Sequence, residues 1–199
     1  DHGADWPETR EYVAMLREKG YPITVLETTR KGLALYEYYQ SHRMIPTRMV
    51  RHCTVEYKVR PLTEYMKTPC IVYMGIDAGE AHRATPSQRE GEVREYPLID
   101  EGMDRKACMA FIEAHGLPVP MKSGCYVCPF QRRNQWRELR TKHPELYCKA
   151  KRLAANCNEM LAEKGRPPLY LAGEKALEYI AQEDQMDLFG ERRPCLCEL

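Results

Sequence analysis

The chain carries almost no net charge: 30 Lys and Arg against 29 Asp and Glu leave +1 over 199 residues. That balance excludes a global pull toward nucleic acid or acidic surfaces, though not a local one. No stretch approaches the ~20 apolar residues that a membrane-spanning helix needs, so no membrane partner is expected. No signal peptide opens the chain. There is no internal repeat, and no low-complexity tract apart from a mildly biased, polar tail. An even cysteine count is also lacking. The cysteines number nine, and a chain with 43% hydrophobic residues is long enough to build a core without disulfide staples. The expectation is a cytoplasmic protein with reduced thiols, some of them holding a metal. The first residue is Asp1, not Met, and DHGADWPETREYV reads as a loop entering a helix. A strand is therefore expected before it, and the chain reads as a fragment.

What is present begins with helix punctuation. Pro7 and Glu8 open a helix running to about Lys19, where Gly20 stops it. A second helix spans Asp104 to His115, closed by Gly116 and Pro118, with Asp104 as its cap. From Gln131 to about Lys164 the chain reads as helix with a break near His143-Pro144, and 165–168 is a turn. Residues 31–42 are helical or irregular, and Pro61 is expected to start a helix within 54–67. Strands are expected at 22–28 (PITVLET), 70–76 (CIVYMGI) and 95–99 (EYPLI), with a long polar loop at 77–94. Strands alternating with helices imply an α/β fold: a twisted, mostly parallel sheet flanked by helices, with a helical C-terminal part. The expected division is an α/β core at 1–120, the cysteine motif and helices at 121–184, and a tail at 185–199.

The chemistry sits in the cysteines. Cys125 and Cys128 form a C-x-x-C pair in SGCYVCPF, which suits a metal, a redox dithiol or two ordinary thiols. Gly124 permits a tight turn, Pro129 restricts the exit, and Arg132 and Arg133 would offset thiolate charge. Cys53 is the expected third ligand and Cys148 the fourth, with Cys195, Cys197 and His52 as competitors for that place. Cys70 and Cys108 read as core residues. A [4Fe-4S] cluster and zinc both fit such donors. Lys58, Arg60, Arg83, Arg89, Lys122, Arg132 and Arg133, with His82, would form an anion cradle if they converge. Glu80 would orient a basic partner or bind a cation. Tyr36, Tyr38, Tyr39 and Trp136 read as packing groups.

Several segments resemble the phosphoadenosine phosphosulfate reductase family, part of the PP-loop, or adenine nucleotide alpha hydrolase-like, group. They are DHGADWPET at 1–9, CTVEYKVRPL at 53–62, GIDAGEAHR at 75–83 and KSGCYVCPF at 122–130, and the likeness covers roughly 1–150. It is strongest to short phage- and bacteria-encoded members labelled reductase-like. The resemblance implies an adenine nucleotide, ATP or a sulfonucleotide, bound near Asp1, Gly3, Gly75, Glu80 and Arg83. It implies an iron–sulfur cluster on the cysteines, Lys58 in a catalytic role, and Cys195 or Cys197 attacking a sulfonate sulfur. The implied activities are sulfonucleotide reduction with a thioredoxin-like reductant, or adenylation and sulfur transfer to a nucleic acid. The family's SGGxDS phosphate loop is absent from the sequence shown, and His52 and Cys53 stand where some members have a first cysteine pair. The rival readings are a non-catalytic module with a structural metal and a zinc-stabilised nucleic-acid-binding protein. An oligomer is left open.

Overall fold

The computed structural model describes residues 1–172 and Leu177. The chain divides into two compact units. One comprises Asp1–Pro61 together with the chain from Lys122 onward, and the other is Leu62–Met121.

In the first unit, α1 (Pro7–Glu18) starts with proline in its first turn and ends at Gly20, whose φ of +88° breaks the helix. α2 (Leu35–Ser41) buries Leu35, Tyr38 and Tyr39. A continuous helical run follows: α3 (His52–Thr54), a π-helical turn at Val55–Val59, and α4 (Arg60–Tyr65), which leads into the second unit. Pro61 lies inside this run rather than at its start. Proline has no N–H for the carbonyl four residues earlier, and the Thr28 hydroxyl donates to that Tyr57 carbonyl at 3.1 Å.

Farther along the same unit, α7 (Arg133–Lys142) and α8 (Pro144–Glu163) meet at His143, whose φ of −133° and ψ of 65° end one helix and begin the next. Proline at the following position disfavours helical geometry at His143 and suits the first turn of α8. The core gathers Trp6, Leu35, Tyr57, Trp136, Leu139, Tyr147 and Leu153, all below 3% exposed. Tyr38, Tyr39 and Trp136 therefore pack as expected, while half-buried Tyr36 donates to the Lys149 carbonyl at 3.3 Å.

The second unit holds β1 (Cys70–Tyr73) and β2 (Glu92–Glu95), a parallel pair in the register Cys70↔Glu92 to Tyr73↔Glu95. Between them lies a 3₁₀ turn, Ala78–Arg83, opened by Asp77, whose side chain accepts from Glu80 N–H at 3.1 Å. α5 (Pro97–Asp100) and α6 (Arg105–Ala114) complete the unit. Asp104 caps α6 as expected, accepting from Ala107 N–H at 2.8 Å.

The expected fold class is overturned. Among the described residues the protein is mostly helical, and its one sheet has two strands. This is not the multi-stranded, twisted parallel sheet of the PP-loop group. PITVLET forms no strand; Ile23 N–H donates to the Tyr21 carbonyl and Thr28 N–H to the Asp1 carbonyl, each at 2.8 Å. EYPLI is also no strand: β2 ends at Glu95, and Pro97 starts α5 instead. The reductase-like and PP-loop identification falls with the sheet. So do the reading of a sulfonucleotide reductase or sulfurtransferase carrying nucleotide and iron–sulfur cluster, and the PP-loop oxidoreductase class, all of which rested on that fold.

Candidate functional site

The cysteine loop is built from both ends of the first unit's sequence. Residues 4–6 pair antiparallel with 124–126: Tyr126 N–H donates to the Ala4 carbonyl at 3.0 Å and Trp6 N–H to the Gly124 carbonyl at 3.2 Å, with Asp5 opposite Cys125. Gly3, just before this pairing, packs against Ala34 in a conformation that suits glycine. Its φ is +79°, and a Cβ there would stand 2.9 Å from the Ala34 Cβ. Beyond Cys125 the chain turns tightly, with Cys128 N–H donating to the Cys125 carbonyl at 3.0 Å. The buried Gln131 side chain closes the turn by donating to the Tyr126 carbonyl at 3.1 Å. Arg132 then leads into α7, its N–H bonded to the Gln135 side chain at 3.0 Å.

Within this frame the Cys125 and Cys128 thiols are neighbours, and a hydrogen-bonding interaction between them shifts their titrations in opposite directions. Cys125 is 7% exposed, and this bond, with burial behind it, pushes its thiol well above the ordinary value. Cys128 is half-buried and drawn down to about 6, first by the Cys125 bond, then by the Phe130 N–H and the charges of Lys58 and Lys122, against the opposing effect of burial. The two thiols are thus shifted in opposite directions, Cys125 up and Cys128 down.

Cys53, in the three-residue α3, lies within electrostatic reach of Cys125. It accepts a hydrogen bond from Tyr39, whose phenol is raised far above its ordinary value by burial first and by Cys53 next. The Tyr39 hydroxyl also stands 3.4 Å from His52 Nδ1. The His52 ring stacks on Tyr38 at 5.5 Å and touches Arg30, and burial first, then Arg30, lowers its pKa. Arg30 pairs with Glu56 at 3.4 Å. The sequence alone assigned Tyr39 only to packing and passed over Arg30. Tyr39 lies 14 positions from Cys53, and nothing local marks their meeting.

Other expected site residues are placed as follows. Lys58 is exposed, and its charge acts on Cys125, Cys128 and His2. His2 is 4% exposed, 3.4 Å from Asp5, and held below its ordinary pKa chiefly by burial. The Asp1 carboxylate accepts from Gly3 N–H at 2.8 Å and from Arg10 at 3.0 Å. Cys148 lies on the buried face of α8 with Tyr147 and Cys157. Gly75, Glu80 and Arg83 belong to the second unit, where Glu80 and Arg83 are exposed and ion-paired with each other. Arg89, in the same unit, donates to the Met66 carbonyl at 3.0 Å. Cys195 and Cys197 lie outside the described residues.

The Cys125–Cys128 pair offers two soft sulfur donors from one turn, with the charges of Lys58 and Lys122 acting on it. Among the described residues, no group of three or more Cys, His, Asp or Glu stands at ligand spacing. No described helix is long and apolar enough to cross a membrane.

No family model matches the chain, and no solved structure matches it. The chain is similar to a protein of Methanocaldococcus jannaschii described only as uncharacterized, at 25% identity over 164 residues. The match covers 75% of this chain and 39% of that protein, so the chain spans well under half the length of the relative it resembles.

Proposed function

We propose that the first unit is a metal-binding module in which Cys125 and Cys128 supply two ligands of a soft divalent ion, zinc, that fixes the 122–131 loop, and the remaining ligands, Cys53 first, close in on binding. The supporting observation is the turn that holds the two cysteines together: Cys128 N–H donates to the Cys125 carbonyl at 3.0 Å, and Cys125 is bridged to Asp5. A C-x-x-C turn presents two sulfurs from one loop to a tetrahedral zinc with Zn–S of about 2.3 Å. Binding displaces the thiol proton and lets Cys125 ligate as a thiolate. Lys58 and Lys122 lower the cost of that second negative charge. Cys53 enters as third ligand, held in place by the Tyr39 hydrogen bond, as groups behind a ligand commonly orient it. Cys148 is the candidate for the fourth position. Closed four-ligand zinc sites are structural, which makes this a binding module rather than a catalyst.

The test is elemental analysis of protein purified under reducing, anaerobic conditions, followed by competition with a chromogenic chelator. About one zinc per chain is expected. Cys125→Ser, Cys128→Ser and Cys53→Ser should each release it, and Cys148→Ser should weaken retention. Iron with acid-labile sulfide in place of zinc would overturn the choice of ion. Fully reduced protein with no bound metal would overturn the site.

A further inference from the structure

The near-neutral total hides a segregation of charge. Residues 48–60 and 122–142 together carry ten Lys and Arg against two Glu, a net +8 in a chain of +1. Both segments belong to the first unit, and the fold brings them together. Arg48 Nε donates to the Pro129 carbonyl at 3.0 Å. The guanidinium groups of Arg48 and Arg51 each lie 5.8 Å from the centre of the Phe130 ring. Phe130 is 53% exposed, and Met49 and Val50 beside the arginines are exposed as well. The ring thus stands half in water with two cations over it.

We propose that this surface binds single-stranded nucleic acid, with a base stacked on Phe130 and the flanking phosphates paired to Arg48 and Arg51. Single strands offer unpaired base faces to an exposed ring and a phosphate on either side of each base. Guanidinium groups match phosphate oxygens in pairs, and cations at the ring strengthen stacking. An acidic protein segment would satisfy the arginines but leave the ring unused. The surface shares the 122–131 loop with the thiol site but uses the side chains of Phe130, Arg48 and Arg51, so metal content measured beside oligonucleotide binding separates the two readings.

The test is fluorescence anisotropy of the full chain with labelled oligo-uridine and oligo-thymidine of about 20 nucleotides. A duplex, polyglutamate and phosphatidylserine vesicles serve as rivals, and the salt concentration is varied. Single strands should bind more tightly than duplex. Phe130→Ala should weaken binding roughly tenfold while Phe130→Trp retains it. Arg48→Ala and Arg51→Ala should each reduce the slope of log affinity against log salt by roughly one. Metal content, measured on the same variants, should not change. Absence of oligonucleotide binding at low salt, indifference to Phe130→Ala, or equal affinity for polyglutamate would each overturn the proposal. Vesicle binding without oligonucleotide binding would replace it with a membrane surface.

Discussion

The two units solve the problem of staying folded differently. The first buries Trp6, Trp136, Tyr57, Tyr147, Leu139 and Leu153 almost completely, and its helices α2, α7 and α8 share that core. In the second, Leu62–Met121, every residue keeps part of its surface in water. Its order comes from backbone and polar ties: a two-stranded ladder, the cap on α6, and Glu92, which accepts from Ser87 at 2.8 Å and Arg94 at 3.0 Å. Apolar burial scales with area and sets global stability, whereas solvated hydrogen bonds each add little. The elements joined mainly by such bonds open locally at low cost.

The sharpest test of that contrast is truncation. Trp136→Ala or Leu153→Ala should cost about 2–5 kcal/mol in denaturant unfolding, because each leaves a cavity in a closed core. Val72→Ala on β1, half-exposed, should cost about 1 kcal/mol or less. Equal losses would erase the distinction. Next comes Gly3→Ala, which forces a side chain into positive φ and against Ala34; about 1–3 kcal/mol is expected. It should also loosen the pairing of 4–6 with 124–126, seen as faster amide exchange at Tyr126. In the second unit, Asp104→Ala should cost about 1 kcal/mol through the lost cap, read from amide exchange along α6.

Acid should act on the second unit through Glu92, whose carboxyl is held below its ordinary value of 4.5 by the Ser87 hydroxyl first and then by Arg94 and Arg89. A depressed carboxyl stabilises the fold fully above its unfolded pKa, and that contribution is lost as pH falls through the lower folded value. Amide protection at Cys70–Tyr73 should therefore decline below about pH 4.5, and Glu92→Gln should remove the pH dependence. The smallest effect belongs to the exposed Glu80–Arg83 pair: Glu80→Gln should change stability by no more than ~0.5 kcal/mol, measured by the same exchange.

The sequence disclosed what is decided locally. Pro7 and Gly20 bound α1, Asp104 and Gly116 bound α6, and His143-Pro144 divides α7 from α8, because proline, glycine and capping groups act within a few residues of themselves. The sheet was misread because a strand needs a partner that lies elsewhere. PITVLET and EYPLI have strand-like composition, yet one finds no ladder among the described residues and the other gives way to a proline-started helical turn. Motif likeness misled in the same manner, since it registers residue order and not the number of strands. At the candidate site, the C-x-x-C spacing announced Cys125 and Cys128, and the basic residue Lys58 was named. The Tyr39–Cys53 hydrogen bond, Arg30 against His52, and the joint approach of Arg48 and Arg51 to Phe130 depend on tertiary packing and carry no local signal.

The antiparallel bridge opposite Cys125 makes the two cysteines unequal in access. Cys125 is tied to the N-terminal segment and shielded from water. Cys128, three residues on and past the tight turn, is half-open. A thiol reagent arriving from solvent therefore meets Cys128 first. The pair has an order of approach, with one sulfur outside and the other within.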